Sequence, residues 1–210
     1  MSNNIAEQCL KYIKEGDLIF SNGKFNESIE IFKKVIELDP NNQFLYNARA
    51  YNGIGCCYYS LEDCQESLKW FNLAIEKDPN VKFYYQNKAK SLIKLCQYEQ
   101  AIQCYEKSIS LSGSSNSNEN GDDYYCKGYC QHKLQLYTEA VKSFESALWK
   151  NENAMILNAK GNSHKALREY DKALICFTRA VELNPSKAEY RQNKQEIESL
   201  IQSQVQSYQK

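Results

Sequence analysis

The chain of 210 residues sets 26 basic against 26 acidic side chains, is 42% hydrophobic and 25% charged, and holds only three prolines and eight glycines. That is enough chain for one sizeable core, with a bias toward helix, and its zero net charge gives no general attraction to nucleic acid or an anionic membrane. No apolar run approaches the ~18 residues that span a bilayer, and the opening MSNNIAEQCLKYIKEGD lacks the basic-then-apolar order of a secretory signal, so the expected location is cytoplasmic.

In chain order, Asn3 or Asn4 can cap a first helix that runs to about Phe20, where Ser21-Asn22-Gly23 turns the chain. A second helix, about 26–38, stops at Asp39-Pro40, because proline lacks a donor and clashes with the preceding turn. A longer third helix (about 43–60) leads through Leu61-Glu62-Asp63 to a fourth (64–77), closed by Asp78-Pro79-Asn80. Helices at about 81–95 and 98–111 follow, then SGSSNSNENGDD over 112–123, a small-polar stretch read as a tolerated surface insertion. The remaining helices span about 123–136, 138–150, 154–167 and 171–183. A last one, about 186–208, carries one apolar stripe of Tyr190, Ile197, Leu200, Ile201 and Val205, as the end of a stack requires. Dimerisation through this helix is the sharper alternative.

The chain repeats itself. Residues 161–185, GNSHKALREYDKALICFTRAVELNP, give Gly161, then Tyr170, a small residue (Ala173), an aromatic (Phe177), a small residue (Ala180) and Pro185. The same order of sizes starts from Gly16, Gly55, Ala89 and Gly128, with anchors 39, 34, 39 and 33 residues apart. A period of this kind means helix pairs stacked as a solenoid. The anchors on the first helices and Ser28, Ser67, Ala101, Ala140 and Ala173 on the second are the small residues that close helix crossings need, and Phe32, Phe71, Tyr105, Phe144 and Phe177 are the bulk that fills the space between pairs.

With these positions in phase five times, the chain resembles the tetratricopeptide-repeat family over about residues 9–185. The leading tryptophan of that pattern is replaced throughout, the leucine before the anchor is often charged (Glu15, Lys88, Lys127, Lys160), and the third and fourth copies lack the closing proline. The resemblance implies an all-α, right-handed α-solenoid forming one domain over 1–210. Its repeats fall at about 9–40, 48–79, 82–113, 121–152 and 154–185, and 186–208 is a capping helix. It also implies a non-catalytic adaptor or scaffold that holds a peptide or helix in the concave groove lined by first helices.

Offsets from the anchors place Asn52, Cys56, Tyr59, Gln86, Lys90, Ile93, Lys94, Tyr125, Tyr129, His132, Lys133, Asn158, Asn162 and Lys165 on that face, with Arg49 and Phe83 at its rim. The face is aromatic and basic, with Asp17 and Asp122 as its main acids, so an acidic segment is the expected partner. The family's chaperone-tail clamp is missing: its positions hold Ile13, Asp17, Gly53, Phe83 and Asn87, and the register begun at Ala89 fares no better. Chaperone C-terminal tails are therefore disfavoured. A structural subunit bound through its convex face or ends is the alternative, and an RNA binder ranks below it because such domains are usually far more basic.

No catalytic grouping is legible around the two histidines, His132 and His164, and no cofactor is expected. Nine cysteines fit a reduced compartment in which thiols serve as small apolar side chains. Cys126 and Cys130 beside His132 come nearest to a metal set but lack a fourth ligand, so no metal is expected.

Overall fold

The computed structural model describes residues 2–41, 46–112, 121–149 and 152–208. They form eleven helices in two compact units, Met1–Leu111 and Ser112–Lys210. The first unit holds α1 (Ser2–Ser21), α2 (Phe25–Leu38), α3 (Tyr46–Ser60), α4 (Cys64–Lys77), α5 (Lys82–Lys94) and α6 (Tyr98–Leu111). The second holds α7 (Gly121–Lys133), α8 (Tyr137–Leu148), α9 (Ala154–Ala166), α10 (Tyr170–Leu183) and α11 (Ala188–Tyr208). Within each unit, every helix packs chiefly on its neighbours in sequence. Most of the expected insertion, 113–120, lies outside the described residues, but its end belongs to α7. Asp122 and Asp123 stand in the first turn of that helix, where a carboxylate suits the positive end of the helix dipole.

All five turns inside the pairs share one geometry. The second residue after each first helix lies in the left-handed region: Gly23 at φ 75°, Glu62 at 65°, Cys96 at 58°, Gln135 at 62° and Arg168 at 59°. The next amide then reaches back five residues, Asp63 N–H to the Tyr58 carbonyl and Glu169 N–H to the His164 carbonyl, both at 2.9 Å. These bonds satisfy carbonyls that a helix end leaves open. They also end α7 at Lys133, three residues before the expected Leu136. Between pairs, Pro40, Pro79 and Pro185 follow the ends of α2, α4 and α10.

The anchors work as sockets. A β-carbon built on Gly55 would lie 2.6 Å from the Phe71 ring, one on Gly128 2.7 Å from Phe144, and one on Gly161 2.7 Å from Phe177. Each ring comes from the second helix of the same pair, so its first contact is internal to the pair. Phe32 does both jobs: it sits on Gly16 and, in the next pair, on Gly53. In every pair the ring lies sixteen residues after its anchor, including Tyr105 after Ala89. All five rings are buried, each contributing on the order of 1.5–3 kcal/mol. The small second-helix residues are fully buried beside them, and the Ser28 hydroxyl donates to the Gly16 carbonyl at 2.9 Å.

α11 buries Tyr190 against Leu157 and Ala180, and Ile197 against Ala173 and Phe177. Leu200 packs there too, but Val205 is exposed, so the apolar stripe is spent before the helix ends. Its open face carries Gln195, Ser199, Gln202, Ser203 and Gln206. That polar surface suits a cap and offers no apolar seam for dimerisation. Among the described residues, no helix is long and apolar enough to cross a membrane, and no group of three His, Cys, Asp or Glu could hold a metal.

Candidate functional site

The first helices of successive pairs are tied together on one face by side chains 31 or 35 residues apart. In the first unit, Asn87 Nδ2 donates to Asn52 Oδ1 at 3.0 Å and approaches Cys56 Sγ at 3.5 Å. In the second, Asn193 Nδ2 donates to Asn158 Oδ1 at 2.8 Å, and Asn158 Nδ2 donates to Glu189 Oε1 at 3.1 Å. The amide is short and both donates and accepts, so it can bridge parallel helices on either side. α11 therefore acts as a further first helix, and its carboxylates complete this face.

Of the expected groove residues, nine belong to the first unit. Arg49 donates to Asp17 at 2.7 Å across α1 and α3, an exposed pair. The Lys94 ammonium lies 4.4 Å from the Tyr59 ring centre and 3.8 Å from Glu62. Phe83 is exposed with Lys82 over its ring, Gln86 is half-buried, and Lys90 projects into solvent. Lys90, Tyr59, Cys56 and Asn87 line a small cavity of about 230 Å3, closed at one side by Phe20 of α1. Burial pushes the Cys56 thiol up to about 12, so it stays protonated and serves as a wall.

The other seven lie in the second unit, where convergence is greater. A cavity of about 350 Å3 between α7, α9 and the start of α11 is lined by Tyr125, Tyr129, His132, Lys133, Asn158 and Asn162. Only Lys165 stands apart, held at 3.0 Å by Glu196 of α11. Sequence offsets missed six contributors to the cavity: Phe144, Met155, Ala159, Lys187, Glu189 and Tyr190. The last three come from the cap and the turn before it, which had been set outside the repeats. Their signal was present, because Glu189 and Glu196 follow Asn158 and Lys165 by the same 31 residues that separate Cys56 from Asn87.

These additions change the electrostatics. The expected basic surplus shrinks, since Lys165 is neutralised and Glu189 is an acid inside the cavity. What stays exposed is Lys133, 5.3 Å from the Tyr129 ring centre, and Lys187. His132 is held below its ordinary range, first by burial and then by the charge of Lys133, so it is neutral near pH 7. Its Nδ1 lies 2.9 Å from the Ser163 hydroxyl, which donates to the Ala159 carbonyl. That hydroxyl has only one proton: when it goes to the Ala159 carbonyl, the histidine donates in their contact. The arrangement offers two cations, an apolar wall and an Asn162 amide that has no hydrogen-bond partner among the described residues. It provides no nucleophile with a base beside it.

Residues 154–187 match the tetratricopeptide repeat, as do residues 12–42, 48–81 and 84–115. Together they cover more than half of the chain, which belongs to the tetratricopeptide-repeat family. A TPR repeat-containing protein of Methanocaldococcus jannaschii is 27% identical over 191 residues, which is 82% of this chain but 32% of that protein. The chain thus spans about a third of the length of that relative. Among solved structures, a tetratricopeptide repeat protein from Parabacteroides merdae superposes with a TM-score of 0.78 at 16% identity, covering 96% of this chain and 77% of that one. YrrB, described as a TPR protein with an unusual peptide-binding site, gives 0.76 at 20% identity and covers 90% and 93%. At these identities the likeness establishes the all-α solenoid fold.

Proposed function

We propose that this protein is a non-catalytic adaptor whose concave faces hold an extended acidic segment of a partner protein. The observation that carries the reading is the 350 Å3 cavity of the second unit, where six residues chosen from sequence offsets meet. Tyr125, Tyr129 and Met155 supply an apolar wall, and rigid aromatics anchor a ligand at low entropic cost. Lys133 and Lys187 lack a carboxylate partner among the described residues, whereas Glu189 is already engaged by Asn158. A ligand carboxylate thus finds attraction at two points and repulsion at one that is partly compensated. The Asn162 amide, without a partner among the described residues, can pair with ligand backbone. A peptide is also the kind of ligand named for YrrB, a protein of the same fold.

Selection from a random-peptide display library against the immobilised chain tests this. The enriched peptides should place Asp or Glu beside a large apolar residue. Affinity should fall about tenfold or more in a Lys133→Glu, Lys187→Glu variant and weaken with added salt. Peptides without an acidic excess, or equal binding to the double variant, would show that the acidic-segment reading is wrong.

A further inference from the structure

On the opposite side of the second unit a larger hollow, about 570 Å3, opens between α8 and α10. Its floor is Lys160 and His164 of α9, and its walls include Val141 and Lys142 on one side and Ile175 and Cys176 on the other. The floor is fully engaged: Lys160 pairs with Glu145 at 2.8 Å, and His164 Nδ1 lies 2.6 Å from Glu169. The apolar rim is open, with Ile175 69% exposed.

The same position one unit earlier shows what such a hollow accepts. Cys176 stands fifteen residues after its anchor Gly161, and His164 three after; the counterparts counted from Gly55 are Trp70 and Tyr58. There, the indole of Trp70 stacks on Tyr58 with ring centres 6.5 Å apart and planes 8° off parallel, and its N–H is shut off from solvent. A thiol where the chain elsewhere has an indole leaves the space unfilled. Meanwhile the chain's other tryptophan, Trp149, is 76% exposed at the end of α8. Its backbone continues the helix, so Thr138, Lys142, Glu145 and Trp149 share one face by their four-three-four spacing.

We propose that this hollow is the docking site for Trp149 of a second copy of the chain, in a two-fold pairing of α8 with α8. Antiparallel apposition sets Lys142 of each copy against Glu145 of the other and carries each Trp149 to the Thr138–Val141 end of the other's hollow. Such an isologous contact is self-complementary and closes at two subunits. It uses the face opposite the peptide cavity, so it stands or falls independently of that reading.

Sedimentation equilibrium of the 210-residue chain from about 5 to 200 μM tests the proposal, since a contact centred on one aromatic pair per side belongs with weak interfaces. A monomer–dimer equilibrium is expected, with Trp149 fluorescence shifting to the blue as the dimer forms. Trp149→Ala and Lys142→Glu, both at exposed positions, should each weaken dimerisation at least tenfold while leaving circular dichroism unchanged. Cys176→Trp, which fills the hollow from within, should do the same. A chain that stays monomeric at the highest concentration overturns the proposal, even if N-acetyltryptophanamide binds the hollow, because the occupant is then foreign. A dimer that survives Trp149→Ala overturns it equally.

Discussion

Replacing Gly161 with alanine tests whether the anchors are sockets or merely small helix residues. In the interior of α9 the substitution should help, because alanine exceeds glycine in helix propensity by about 1 kcal/mol. The added β-carbon, however, would lie 2.7 Å from Cε1, 2.8 Å from Cδ1 and 3.0 Å from Cζ of Phe177. Carbon contacts are comfortable at about 3.5–4.0 Å, so the ring must retreat by roughly 1 Å. Phe177 is fully buried, seated on α9 and packed with Ala173 and Ile197. Overpacking of this kind costs about 1–3 kcal/mol, occasionally more. With a ring whose whole edge is struck, the upper part of that range applies, for a net loss of about 1–2 kcal/mol. Urea denaturation followed by circular dichroism would read it as a lower midpoint at unchanged slope. Gly121→Ala is the control, since its nearest neighbour is the Ala147 carbonyl oxygen at 3.7 Å, and it should be neutral or mildly stabilising. Combining Gly161→Ala with Phe177→Leu removes the struck edge, so the double variant should be more stable than the sum of the singles by about 1 kcal/mol or more. The socket argument fails if Gly161→Ala is at least as stable as the parent, or if the two losses simply add.

Other consequences can be checked in the same preparations. Gln135→Gly relieves a left-handed residue and should raise the melting temperature slightly, whereas Gln135→Val should lower it, because a β-branched side chain resists that backbone most. His132 should titrate below the ordinary histidine range by NMR. As pH falls through about 6.5, the unfolded chain takes up a proton that the folded chain refuses, so stability drops on acidification; His132→Gln should flatten that slope. Glu196→Gln releases Lys165 and should tighten any acidic peptide bound in the groove, read by fluorescence anisotropy.

Much of the fold is written in side-chain size. A small residue followed sixteen residues later by a ring marks each pair, and the three prolines mark three of the boundaries. The left-handed residue of the turns inside the pairs was legible only at Gly23. Glu62, Cys96, Gln135 and Arg168 adopt the same left-handed backbone because the returning hydrogen bond demands it, and nothing in those residue types announces it. That Tyr125, Tyr129 and His132 share a face followed from helical offsets, whatever surrounds them. Their charge balance did not follow. Glu189 and Glu196 belong to a helix that lacks the repeat's small and aromatic signature, so their 31-residue interval from Asn158 and Lys165 gains its meaning only once packing sets that helix in line with the first helices. The hollow beside Cys176 was hidden for a similar reason: a buried thiol reads as filler until the room around it is seen.

The sixteen-residue interval between anchor and ring never changes, while the distance from one anchor to the next drifts between 33 and 39 residues. Selection on such a chain acts at two tolerances. An insertion between glycine and ring turns the ring away from its seat and is lost, whereas one that falls between sockets leaves every seat occupied. Lineages of this architecture are therefore free to vary in length at the joints, and to duplicate or shed whole pairs, without rewriting a core.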